Sequence, residues 1–125
     1  MLKTVGIPLW VTIFALIVFA IGCALGLMAM LGQIPDPTMS VSLGGRHLGL
    51  GLAAGVAVFL KSPTAYIAAF VGGLGRDLGD LIAELGKSEP NFGAIVGIAV
   101  FLIAGVLSIL AANKARLRVS QTTAT

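Results

Sequence analysis

Ile7 to Leu31 runs for 25 residues, and Asn91 to Asn113 for 23, without a charged side chain. Each is long enough to cross a bilayer, whose hydrocarbon core takes about 20 apolar residues at about 1.5 Å per residue. Between them lie two shorter uncharged runs, Leu48–Leu60 of 13 residues and Ser62–Gly75 of 14, and neither spans alone. Extending the first back to Val41 takes in Arg46 and His47. Extending the second forward to Leu85 takes in Arg76, Asp77, Asp80 and Glu84, and both then reach spanning length. The pattern predicts an all-α, integral membrane four-helix bundle with helices over about 5–31, 41–60, 63–85 and 91–115. They form one domain over residues 1–119, followed by a polar, frayed tail at 120–125. Two spans plus a re-entrant hairpin is the competing arrangement, because short apolar runs also permit it.

The joints agree with four helices. Gly32-Gln33-Ile34-Pro35-Asp36-Pro37 closes the first, Ser62-Pro63 opens the third with proline at a tolerated early position, and Gly86 to Pro90 ends it. Charge then sets orientation. If all four cross, Lys3, Lys61, Lys114, Arg116 and Arg118 share one side, against Lys87 with Asp36 and Glu89 on the other. The positive-inside rule places both termini in the cytoplasm, and the economy of the chain suits a bacterial inner membrane. A hairpin would instead strand Lys61 at membrane depth. Ala20-Ile21-Gly22-Cys23 faintly resembles a lipoprotein cleavage box, but the apolar run around it exceeds the ~7–15 residues of a signal core.

Composition narrows the class. The apolar share is 58%, and the 17 glycines raise it to roughly 72%, against ~45–50% for soluble domains counted that way. Only 10% of residues are charged and the mean hydropathy is +1.06, so a nucleic-acid-binding domain and a disulfide-stapled secreted fold are both excluded. The single cysteine, Cys23, excludes an intramolecular disulfide and a CxxC redox pair.

The chemistry lies in the middle hairpin. Arg46 stands fifteen residues before Lys61 and Arg76 fifteen after it, which places both roughly 22 Å above the turn. At about 100° per residue, Arg76, Asp77, Asp80 and Glu84 share a 100° arc, with Arg76 and Asp80 an i,i+4 pair. Charges at that depth cost ~2.5–3.5 kcal/mol each and should face inward and pair. Arg46 is expected on Asp77 or Asp80, with Arg76 on the remaining carboxylate and Glu84, nearest the outer surface, solvated. Two arginines offset only two of three acids, so one acid is expected to be protonated or wet. An acid held neutral in such a site can act as a proton donor. His47, the only histidine, reads as an interface residue, an acid/base, or an axial haem ligand across a homo-oligomer. No metal site and no other cofactor is expected, because no Cys or second His is near enough to complete a ligand set.

Glycines outline the packing. Gly22 and Gly26 in the first helix and Gly51 and Gly55 in the second are GxxxG pairs; Gly72 to Gly79 line the third and Gly93 and Gly97 begin the fourth. Small faces let helices approach closely in lipid. The glycines around Arg76 also leave room beside the charges for a ligand or water. Trp10, Tyr66 and Lys61 suit an inner interfacial belt.

Gly45-Arg46-His47-Leu48-Gly49-Leu50-Gly51 and Gly72-Gly73-Leu74-Gly75-Arg76-Asp77-Leu78-Gly79-Asp80 resemble the DoxX-like small four-helix membrane proteins and related domains of unknown function. The resemblance implies a four-helix bundle with an arginine early in the second helix and a polar Arg/Asp segment late in the third. Some relatives are accessory subunits of membrane oxidoreductases, and distant four-helix proteins isomerise sterols or bind lipophilic ligands. No catalytic motif carries across.

Two functions follow. One is an outer-leaflet pocket at Arg46, His47, Arg76, Asp77 and Asp80 that binds a small lipophilic molecule, with its protonation or isomerisation as the accompanying chemistry. The other is a structural or accessory subunit of a membrane complex or homo-oligomer, with the charges as an internal clamp. Membrane lipid is the expected surrounding partner, and no nucleic acid is expected.

Overall fold

The computed structural model describes residues 6–35 and 40–124. Four helices account for nearly all of them: α1 (Leu9–Met30), α2 (Val41–Leu60), α3 (Pro63–Leu85) and α4 (Phe92–Thr123), with no strand among the described residues. Of these, α1, α2 and α4 are long and apolar enough to cross a membrane. At 23 residues α3 is just as long, but Arg76, Asp77, Asp80 and Glu84 crowd its second half. Lys3, Asp36 and the expected helix start at residue 5 lie outside the described residues.

Local chemistry sets the boundaries. α1 ends where Gly32 turns left-handed (φ 70°), so that the Gly32 N–H donates to the Ala29 carbonyl and the Gln33 N–H to that of Met28. These two bonds satisfy carbonyls that a helix end otherwise leaves unpaired. Ser40, Ser62 and Asn91 cap the other three helices, accepting from the N–H groups of Leu43, Ala65 and Ala94 at 3.2, 3.4 and 3.2 Å. Between α2 and α3 the chain reverses through two residues, Lys61, left-handed at φ 51°, and Ser62, with Pro63 opening α3. The tail corrects the sequence expectation: α4 continues to Thr123 instead of fraying at Ser120. There Thr123 bonds back to the Val119 carbonyl at 3.2 Å, holding its hydroxyl within the helix.

Helix contacts follow chain order. α1 packs most extensively on α2 and α3 on α4; α2 meets α3 less closely, and α1 scarcely touches α4. Glycine explains the first interface. A Cβ on Gly22 would come to 2.8 Å from the Gly51 Cα, one on Gly26 to 2.5 Å from the Leu48 nitrogen, and one on Gly55 to 2.6 Å from the Phe19 ring. Gly44, absent from the sequence pairing, extends the seam by a further turn, with a Cβ there 2.8 Å from that of Ala29. Gly72 abuts Leu50, whereas Gly79 is exposed and a Cβ there would meet nothing within 4 Å; it packs against no helix.

The core lies toward the α2–α3 turn. Val11 and Ala15 of α1, Ala57 and Val58 of α2, Tyr66 and Phe70 of α3, and Ala112 and Ala115 of α4 are buried together. Phe14 stacks on Phe70, ring centroids 5.5 Å apart. Tyr66 is 0% exposed and its hydroxyl shares a hydrogen bond of 3.2 Å with Thr12. It is therefore a core residue and not part of an interfacial belt, while Trp10 at 46% exposure stays on the rim.

Candidate functional site

One face of α3 carries the site. Tyr66, Phe70, Gly73, Asp77, Asp80 and Glu84 recur at alternating steps of four and three, which keeps them on a single inward stripe. The stripe is aromatic at the core end and acidic at the other, where Asp77 and Glu84 are 7% and 8% exposed.

At the acidic end the helices frame an open cavity of about 300 Å³. Arg76, Asp77 and Asp80 line it from α3 and His47 from α2; Val18, Ile21, Gly22 and Leu25 form one wall from α1, and Ala94, Gly97, Ile98 and Phe101 the other from α4. It lies between α1 and α4, which scarcely touch each other. A crevice of about 20 Å³ continues beneath Arg76 and Asp77 toward Leu50, Gly73 and Leu74. That is room for about one water molecule.

The ion pairing differs from the sequence expectation. Arg76 donates through Nε at 2.8 Å and Nη2 at 2.5 Å, both to Oδ1 of Asp77, its chain neighbour. Adjacent helical residues diverge by about 100°, so the guanidinium must fold back along its own helix to make this pair. The side chains are 13% and 11% exposed. Both donors converge on one oxygen, leaving acceptor capacity at the cavity wall. Asp80 makes no ion pair with Arg76 or with any other described residue.

Arg46 is exposed and lines neither cavity, so the expected pair with Asp77 or Asp80 does not form. Its bearing on α2 is what sets it apart. With Gly44 and Gly51 turned to α1 and Leu50 to Gly72 of α3, His47 falls between those two directions and points inward. Arg46, about 100° earlier, falls beyond Leu50 on the outer flank.

Glu84 also departs from expectation. It is buried rather than solvated, and it accepts from Lys87 Nζ at 2.6 Å and from the Asn91 N–H at 2.8 Å. Because Asn91 caps α4, Glu84 clasps the α3–α4 turn and takes no part in the cavity.

The apolar walls from α1 and α4 were not legible in the sequence. Gly97 was the available signal: a Cβ there would meet nothing within 4 Å, so this glycine leaves space where Gly22 and Gly26 create contact. Of the glycines from Gly72 to Gly79 expected to make that room, Gly73 lines the small crevice, and Gly72, Gly75 and Gly79 line neither cavity. Among the described residues no group of three or more His, Cys, Asp or Glu is placed to hold a metal ion.

The arrangement offers an apolar chamber with an imidazole, a guanidinium–carboxylate pair and one further carboxyl along its polar side. Such a chamber can hold an apolar body and orient a polar head. Comparison with protein-family models, with curated proteins and with solved structures finds no match to this chain.

Proposed function

We propose that this is a multi-pass protein of the bacterial inner membrane, with all four helices crossing and both termini cytoplasmic, that binds a small lipophilic ligand in the chamber between α1 and α4. The observation that carries the reading is the lining: apolar side chains from two helices facing a polar group drawn from the other two. A volume of about 300 Å³ lies at the small end of the ~300–1,000 Å³ range of ligand sites. Asp80 is the group available to give or take a proton from a bound molecule, which keeps isomerisation or protonation within the proposal. The resemblance at 45–51 and 72–80 supports kinship with DoxX-like proteins.

A clamp between α2 and α3 is the other reading of the charges, and with it a role as an accessory subunit or homo-oligomer. Its carrier would be an ion pair between helices. The Arg76–Asp77 pair lies within α3 and Arg46 stands outside, which favours the pocket.

The deciding experiment is an experimental structure in lipid nanodiscs of the native chain and of the Gly97→Phe variant. Non-protein density beside Asp80, lost when the phenylalanine fills the chamber, is expected. A chamber closed by its own side chains in the native chain would overturn the proposal.

A further inference from the structure

Charge accounting within the chamber specifies the head group. Arg76 gives two hydrogen bonds to Asp77, so the one cation among the described residues lining the chamber is already engaged. Asp80 lines the same chamber with no ion-pair partner among the described residues. His47 is the other titratable group on the wall, and an imidazole is mostly neutral at pH 7. The segments of α1 and α4 that line the chamber bring no charge at all. Among the described residues that line the chamber, one guanidinium therefore faces two carboxyls, and Arg46, the neighbouring cation on α2, stands outside it.

A carboxylate in such surroundings favours a cation that approaches it. An inorganic cation would need several oxygen or nitrogen ligands, and no such group of side chains is present among the described residues. The apolar walls favour an organic body. Resting on the pocket reading above, we infer that the chamber selects lipophilic amines, with the protonated amine on Asp80 and the hydrocarbon between α1 and α4.

The test uses full-length protein in phosphatidylcholine nanodiscs at neutral pH. Three probes of one chain length, decylamine, decanol and decanoate, are measured for retention above protein-free discs and for their shift of the unfolding temperature. Decylamine is expected to bind at least about tenfold more tightly than decanol, with decanoate weakest. Asp80→Asn should reduce decylamine to the level of decanol, and Gly97→Phe should abolish binding of both. The comparison among probes on the native chain needs no variant to fold. If decylamine and decanol bind equally and both are lost in Gly97→Phe, the pocket stands and the charge selection is wrong. Preference for decanoate also refutes the selection. If none of the three is retained above protein-free discs, the pocket reading itself falls.

Discussion

Arg76 and Asp77 are a partly buried pair on neighbouring positions of one helix, and removing Arg76 leaves the Asp77 carboxyl beside Asp80 with no cation among the described residues lining the chamber. Arg76→Met should destabilise the fold by about 3 kcal/mol, while the double change Arg76→Met with Asp77→Leu should recover most of that loss. Denaturant titration in detergent distinguishes the two, and equal losses in both variants would show that the pair is not a coupled unit. Tyr66 makes a different kind of polar contact. Its hydroxyl and that of Thr12 satisfy each other inside the core, so Tyr66→Phe should cost about 1 kcal/mol in the same titration. The sequence left Arg76 on whichever of Asp77 and Asp80 Arg46 did not take; with Arg46 turned outward, the guanidinium takes its chain neighbour Asp77.

At the scale of helices, glycine plays two opposite roles here. Gly22, Gly26, Gly44 and Gly51 bring the α1 and α2 backbones together, and Gly97 keeps a space open on α4. In a composition list these residues look alike. Gly26→Ala drives a Cβ toward the Leu48 backbone nitrogen, which cannot rotate away, and should cost about 1–3 kcal/mol by forcing the helices apart. Gly79→Ala meets nothing, and should be neutral or stabilise by up to about 1 kcal/mol through helix propensity. Thermal unfolding of both variants in one detergent checks the contrast, and a larger loss for Gly79→Ala would mean that its exposed face is covered by another chain.

For the whole molecule, α4 is the element that reaches furthest. Its 32 residues extend about 48 Å, beyond the ~30 Å hydrocarbon core, so its end carrying Lys114, Arg116 and Arg118 projects as a basic helix. With Lys61 exposed at the α2–α3 turn, that end carries the positive charge expected of a cytoplasmic face. In a Cys23→Ser background, an impermeant maleimide should label Ser88→Cys on intact cells and Lys61→Cys only after the membrane is opened. Protection of Lys61→Cys under both conditions would place the turn within the bilayer, as a re-entrant hairpin requires.

Run length, caps and charge counts determined the number of helices, their described boundaries to within a few residues except at the end of α4, and the concentration of ionisable groups on the third, because each is a property of one segment in its solvent. The inward acidic stripe of α3 also belongs to this class, since a repeat of four and three fixes bearing within a helix. The rotation of each helix against its neighbours was decided only by the tertiary structure. Arg46 and His47 differ by one position, yet the α1–α2 glycine seam turns one outward and the other into the chamber. The chamber's apolar walls arise in the same way, from the divergence of α1 and α4. That divergence depends on which small faces meet across two helices, and no single segment encodes it.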